Sequence, residues 1–312
     1  MLTSYKFIDT EPGFRVCRED ERAEWINLED PSEDELAAVA GAWDLPGQFL
    51  TDPLDPKERP RLDQEGRAEL IIVSLPAVRT TEKGRHVFST VPLGLVLCDD
   101  VLITVCSEVG LIGDLVNRHM KKPRAVDCRR VLLKILIESS NDYIRHLELM
   151  EGITDRAEGS LSNSQHTQEI MTLLTIDKAL IIYTVALKSN RAIMTKLMEG
   201  KMLSLNEREL DLVDQALIEN QQAIYMADIF GQVMGSLGDA FGNIINTNLN
   251  KIMKFLAGMT IILMLPTLVV GVYGMNITLP LADHPRAFLY ISLFCVLLSS
   301  LVWIYFLRKK WI

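Results

Sequence analysis

Val272-Tyr273-Gly274-Met275-Asn276 stands between two long apolar runs, and those runs decide the fold. From Phe255 to Tyr273 there are 19 residues without a charge, and from Ala287 to Leu307 there are 21. A helix of about 20 apolar residues crosses a hydrocarbon core of about 30 Å, so each run predicts a membrane span. Few helices buried in a soluble core stay uncharged for so long. Lys251 and Lys254 precede the first run, and Arg308, Lys309 and Lys310 follow the second. The loop between them carries Arg286, with Asp283 and His284 close by. This bias of basic residues puts both chain ends in the cytoplasm and the Gly-Met-Asn loop on the opposite side. Trp303, Tyr305 and Trp311 suit an aromatic belt at the inner interface.

The rest of the 312-residue chain is acidic, with net charge −9 and 23% charged residues. Such a balance argues against nucleic acid as a partner and suits association with cations. Five scattered cysteines, Cys17, Cys98, Cys106, Cys128 and Cys295, form no CxxC pair. They read as reduced thiols rather than a disulfide framework or a zinc site. No signal or transit peptide is legible in the opening Met-Leu-Thr-Ser-Tyr, so insertion is expected to rely on the terminal runs. There is no GxxxxGK[ST] loop, and His86, His119, His146, His166 and His284 are dispersed. An enzyme and a prosthetic group are therefore not expected.

Residues 1–115 alternate short β-rich runs with short helical ones, as in an α+β cytosolic domain. Strands are expected near 4–8, 13–17, 23–28, 68–75, 87–97 and 101–106, the last two joined as a hairpin around Asp99-Asp100. Ser32 followed by Glu35 is a capping box that opens a helix toward Trp43. Residues 116–250 are helical, with breaks near Lys121–Arg124, Gly159–Asn163 and Gly200–Leu205. The last helix starts about Asn206 and meets no proline until Pro266. At 1.5 Å per residue it approaches ~100 Å, a stalk rather than part of a compact monomer. Residues 251–312 make the transmembrane domain, with spans at about 255–273 and 287–307.

Stepping back from Gly274 by threes and fours traces one face of this helix. It reads Gly274, Gly271, Thr267, Met264, Thr260, Ala257, Met253, Asn250, Asn246, Asn243, Asp239. A 3-4 spacing holds residues on one seam of bundled helices. A packing seam in water would be Leu and Ile; this one is small or polar at nearly every step. Small residues alone would also serve close helix packing in a membrane. Three asparagines and an aspartate would not, because buried polar rings need partners. Water and a cation supply them, so the seam reads as a pore lining.

The order apolar helix, Tyr-Gly-Met-Asn, short loop, apolar helix, basic tail resembles the CorA family of divalent-cation channels. That family's signature is Gly-Met-Asn between two C-terminal spans. Residues Trp25-Ile26-Asn27-Leu28-Glu29-Asp30-Pro31-Ser32 also look like the strand-to-helix entry of CorA cytosolic domains. The resemblance implies an αβα sandwich, long stalk helices and a two-helix transmembrane region, assembled as a homopentameric funnel in the cell (inner) membrane. It implies Mg²⁺ as transported and regulatory ion, with Co²⁺ or Ni²⁺ as secondary ions. It places Asn250, Leu256, Met264, Thr267 and Asn276 toward the pore, with Asp239 at the inner ring of the stalk. Leu256 lies one residue off the seam, which leaves the helix rotation open by one residue. The loop Ile277-Thr278-Leu279-Pro280-Leu281 departs from the family pattern, being neutral where an acidic residue is common.

Mg²⁺ is small, prefers six oxygens and gives up water reluctantly, so a selective entrance can hold the hydrated ion by amide and carbonyl oxygens. Gly274, Met275 and Asn276 are candidates for that entrance. Soft ligands are scarce there, which disfavours zinc or copper. Met264 and Leu256 suit apolar constrictions that close by dewetting. The competing reading of Gly-Met-Asn is a helix cap, since Gly and Asn favour the left-handed conformation. Between Glu209 and Asn250 there are six acids, Glu209, Asp211, Asp214, Glu219, Asp228 and Asp239, and no Lys or Arg. A solvated face explains such a run; so does a boundary screened by cations, with Asp214 and Glu219 as candidate regulatory sites. Two other functions compete: a zinc or cobalt transporter of the same superfamily, and a membrane-anchored signalling or scaffold protein. The polar seam argues against the second, because an anchor has no need of it.

Overall fold

The computed structural model describes residues 1–7, 14–17, 23–81, 86–113, 127–160, 166–200, 203–277, 279–280 and 284–309. The expected break at Lys121–Arg124, the loop residues Thr278, Leu281 and Asp283, and Lys310 and Trp311 lie outside them. The chain divides into two compact units, Met1–Met234 and Gly235–Ile312.

The first unit is built on a seven-stranded sheet ordered β2-β1-β3-β7-β6-β5-β4. The strands are β1 (Leu2–Phe7), β2 (Phe14–Val16), β3 (Trp25–Glu29), β4 (Arg61–Glu65), β5 (Ala68–Thr80), β6 (His86–Cys98) and β7 (Val101–Cys106). Only β3 and β7 pair in parallel; the other neighbours are antiparallel. Helices α1 (Glu33–Trp43) and α2 (Gly47–Thr51) cover one face. The other face is covered by α3 (Cys128–Ser160), α4 (His166–Met198) and the start of α5 (Glu207–Tyr273). This is the expected αβα sandwich. Leu70, Ile72, Val96 and Ile103 pack with Val39, Phe49 and Leu50 on the first face. Ile71, Val73, Leu93 and Leu95 pack with Val131, Ile135, Met194 and Val213 on the second. Because both faces are covered, the central strands read as unbroken apolar runs rather than alternating ones.

The local chemistry follows the sequence. Ser32 Oγ accepts from Glu35 N–H at 3.2 Å while Glu35 Oε2 accepts from Ser32 N–H at 3.0 Å, closing the capping box of α1. The β6–β7 hairpin pairs Cys98 with Val101, and Asp99 at φ 50° turns the chain. Strand β4 was not among the expected strands. Its sequence Arg-Leu-Asp-Gln-Glu has one apolar residue, so it is held by its ladder with β5 and by its charged edge position. Gly94 is required by a close approach: a Cβ there would lie 2.3 Å from Pro53 Cγ.

β5 and β6 each carry a proline, Pro76 and Pro92, in the body of the sheet. Each sits just past the end of a neighbouring strand: the β4 ladder stops at Ile72, and the β7 ladder stops at Leu93. There a missing N–H breaks no pair. The exposed edge of β5 is closed instead by α4. Ser74 N–H donates to Asn190 Oδ1 at 2.9 Å and Asn190 Nδ2 donates to Ser74 O at 2.8 Å, so the side-chain amide stands in for a strand. Tyr143 Oη from α3 donates to the same carbonyl at 3.1 Å, and Tyr183 Oη donates to Ala77 O at 3.3 Å. Burial holds both phenols well above the usual tyrosine range, so they remain donors.

Replacing Asn190 by Leu keeps the volume but strands the buried Ser74 N–H and leaves its carbonyl with Tyr143 alone. A loss of about 2 kcal/mol or more is expected, read as a lower melting temperature of the full-length protein in detergent. An unchanged melting temperature would show that water takes the place of the amide.

Candidate ion pathway

α5 begins with a second capping box. Glu209 N–H donates to Asn206 Oδ1 at 3.1 Å, and Asn206 N–H donates to Glu209 Oε2 at 2.8 Å. Glu209 is 2% exposed. It therefore belongs to the helix start and not to an acidic solvated face, a correction to the sequence reading. The spacing Asn206-x-x-Glu209 carried the signal. Asp228 also differs from expectation. Its basic partner comes from α4, where Lys188 Nζ lies 3.5 Å away. Asp214 is exposed and Glu219 half-buried. Five residues apart at about 100° each, they point some 140° from one another and are not brought together on one chain.

From Val213 to Met234 the inner stripe of α5, with Ala216, Ala223 and Ala227, is buried. Within the second unit the helix presents two different faces. Gly258 is buried and Met259, Ile262, Leu265, Pro266, Val269 and Tyr273 are half-buried, on the side where α6 (Ala287–Arg308) packs. The residues of the seam are all exposed: Asp239, Asn243, Asn246, Asn250, Met253, Ala257, Thr260, Met264, Thr267, Gly271 and Gly274. Leu256, beside the seam, is 53% exposed. At about 100° per residue the two sets lie on nearly opposite sides of the helix.

The seam threonines do not offer their protons outward. Thr260 Oγ1 donates to Leu256 O at 2.8 Å and Thr267 Oγ1 donates to Leu263 O at 2.9 Å. With the proton committed to the backbone, each hydroxyl presents only lone pairs to whatever faces the seam. At the helix end Gly274 N–H donates to Val270 O at 2.9 Å. Among the described residues the positive-φ glycines are Gly66, Gly110 and Gly200, and the others with positive φ are Asp30, Asp44 and Asp99. Gly274 and Asn276 are not in the left-handed region, so Gly-Met-Asn is not a left-handed cap. Tyr273 Oη donates to Pro280 O at 3.2 Å and ties the loop back to the helix.

Two features went unread in the sequence. Gly231, Gly235, Gly238 and Gly242 follow a 4-3-4 spacing on α5, and a Cβ at any of them meets nothing within 4 Å. Each costs about 0.5–1 kcal/mol in a helix, and nothing among the described residues requires it. The spacing was legible; its purpose was not. The second feature concerns Pro266, which lies inside α5 and has no N–H for the carbonyl of Ile262. Ser299 Oγ from α6 donates to that carbonyl at 3.4 Å. Helix α4 also has the length and apolarity of a membrane span over Glu169–Met198, along with the helices containing the two expected runs. Part of its apolarity serves packing: Tyr183, Leu187, Met194 and Leu197 are buried in the first unit, while Met171, Leu174, Ile181 and Val185 are exposed.

An αβα unit that carries a long helix, joined to a pair of long apolar helices bearing Gly-Met-Asn between them, defines a class of ion transporters. A solved structure of the CorA magnesium transporter from Methanocaldococcus jannaschii has the same fold, with TM-score 0.82 and 24% identity over 100% of this chain and 99% of that one. The model of the CorA-like Mg2+ transporter protein family matches residues 20–310, and the chain belongs to that family. The cobalt/magnesium transport protein CorA of M. jannaschii is 29% identical over 307 residues, covering 95% of this chain and 94% of that protein. The magnesium transport protein CorA of Wolinella succinogenes is 24% identical over 309 residues, covering 92% and 91%.

The Ser299 contact can be isolated by a double-mutant cycle. Ser299→Ala should lower the melting temperature in detergent, since an orphaned carbonyl costs about 1–3 kcal/mol. Pro266→Ala restores the N–H at 266, and in that background Ser299→Ala should be close to neutral. Equal losses in both backgrounds would assign Ser299 a packing role only.

Proposed function

We propose that this chain is the protomer of a homopentameric channel that passes Mg²⁺ into the cytoplasm down its electrochemical gradient, with Co²⁺ and Ni²⁺ as secondary ions. The observation that carries the reading is the open face of α5. Its small and polar seam is turned away from α6, so the surface left bare in one chain is the surface a pore needs. A helix in contact only with lipid would show Leu and Val there. Copies brought together around this face enclose Asn250, Asn246 and Asn243 with Asp239 below and Thr260 and Thr267 above. The amide and hydroxyl oxygens suit a hydrated, hard cation. Met264 and Leu256 form apolar constrictions in this arrangement, and Gly274, Met275 and Asn276 form the entrance. The glycine stripe flanks the seam by one residue and lets neighbouring helices approach closely.

In this reading the apolar runs of α5 and α6 span the membrane, and both chain ends are cytoplasmic. Cytosolic Mg²⁺ closes the channel by bridging carboxylates of adjacent copies, with Asp214 and Glu219 as the regulatory pair. Carboxylates gathered around an axis repel, and a divalent ion between them turns repulsion into attraction. An ion that binds one conformation shifts the population toward it.

Flux into vesicles loaded with a Mg²⁺-sensitive dye tests the pathway. Asn276→Ala should abolish Mg²⁺ entry while leaving the oligomer intact on size exclusion. Wild-type flux in this variant would remove Asn276 from the entrance, and no flux in the unmutated protein would favour a scaffold. The same vesicles challenged with Co²⁺ and Zn²⁺ rank the ions.

Regulation is read by limited proteolysis with and without millimolar Mg²⁺. The unmutated protein should gain protection with Mg²⁺, and Asp214→Lys/Glu219→Lys should resist digestion without it. Identical cleavage in all four conditions would leave the acidic stretch as a solvated face.

A further inference from the structure

Of the helices on the second face of the sheet, α3 and α4 are locked to it by polar contacts. Tyr143 Oη holds α3 and the Asn190 amide holds α4, both at the Ser74 carbonyl. α5 lies on the same core through a buried stripe at 3-4 spacing, Val213, Ala216, Asn220, Ala223 and Ala227. Val213 and Ala216 join Leu136, Ile193 and Met194 in one apolar cluster. Asn220 is the polar member of the stripe and is 0% exposed. It is placed to lock α5 as Asn190 locks α4, and it does not: neither its Oδ1 nor its Nδ2 has a hydrogen-bond partner. Two polar ties that α5 does make to these helices are weak. Lys188 Nζ stands 3.5 Å from Asp228 with both side chains exposed, and Thr154 Oγ1 lies 3.9 Å from Met234 Sδ.

Native cores keep few buried polar groups without a partner, and each one calls for a reason. We propose that Asn220 is a release point, which lets α5 leave the first unit by itself while α3 and α4 stay locked to the sheet. Undocking returns the amide to water and regains the hydrogen bonds that burial removed, so the group that weakens the docked state favours the open one. Packing alone gives no reason for it, since a leucine fills the same volume without a polar group to desolvate. The alanines on either side make the stripe flat, with no large side chain to withdraw when the helix lifts. An ordered water bonded to the amide is the competing account. It would lock the helix, so the two accounts give opposite signs when the amide is removed. α5 runs without a break to Tyr273, so its release is carried along one helix to the residues of the seam. The proposal concerns the first unit and stands apart from whichever ion is carried.

Hydrogen exchange read by mass spectrometry on the full-length protein in detergent reports local opening directly. In the unmutated protein, backbone amides of 213–230 in α5 should exchange about tenfold faster than those of 183–197 in α4. Asn220→Leu should slow the α5 amides about tenfold and leave the α4 amides unchanged. The better helix propensity of leucine accounts for roughly twofold of that change. Asn190→Leu removes an amide that is bonded, and should do the reverse by speeding exchange in α4. Equal protection of the two segments in the unmutated protein overturns the proposal, whether or not either variant folds. So does exchange in α5 of Asn220→Leu that is faster, unchanged or slowed by no more than the propensity factor, since the amide is then satisfied by bound water. Exchange is read without any flux, so failure here leaves the transport reading where it was.

Discussion

A backbone N–H or C=O removed from water needs a partner, and this chain supplies several from side chains, two of them where they fix how elements pack. The first is Ser74, where β5 outruns its neighbour β4 and Asn190 completes the missing ladder. That pair of hydrogen bonds fixes α4 against the sheet, and Tyr143 fixes α3 at the same carbonyl. The apolar contacts between helices and sheet tolerate sliding; an amide bound on both sides of one residue does not. The long helices of the first unit thereby acquire a register and not merely a preference for the sheet. The second place is Ile262, where Pro266 removes the helix's own donor and Ser299 replaces it. Here too one polar contact orients two elements whose apolar surfaces alone leave their relative rotation loose.

The other organising fact is that α5 changes character along its length. Through Met234 it has a buried stripe of small residues, Ala216, Ala223 and Ala227 among them. Beyond that point its seam is exposed, and the glycines that precede it meet nothing. Natural helices seldom keep a run of glycines and asparagines on an open face, because each lowers helix stability and none repays it in solvent. The single chain is in this sense unfinished. The proposed assembly finishes it, and the threonine hydroxyls show how little rearrangement that takes. Their protons are already turned inward, and their lone pairs already face the seam.

Much of this was legible in the sequence because the signals were local. The capping box at Ser32, the hairpin at Asp99-Asp100, the two uncharged runs and the 3-4 seam are each read along one continuous stretch of chain. What escaped was non-local or masked by composition. Strand β4 is polar because it is an edge, so its hydrophobic pattern is nearly empty. Lys188 answers Asp228 from 40 residues away, on a different helix, which no reading of the acidic stretch by itself reveals. Ser299 is one small residue in an apolar run, and only the position of Pro266 across from it gives the hydroxyl a task. Part of the apolarity of α4 belongs to a packed face, and composition alone does not separate that from a membrane span. Glu209 was the exception. Its capping role was readable from Asn206, but the acidic run drew it into a different pattern.

The contact between Ser299 and Ile262 also bears on how the protein is made. In hydrocarbon a helix has no water to cover a carbonyl that proline has orphaned, and each such group costs several kcal/mol. α5 entering a bilayer by itself would carry that cost until its partner arrived. Only α6 brings the hydroxyl that ends it, and the link between the two is short. On the membrane reading, the pair is therefore best inserted together as a helical hairpin, with the loop leading, rather than one span at a time. Biogenesis, in this picture, is paced by the second span: the first becomes a finished membrane helix only when the ribosome has released residue 299.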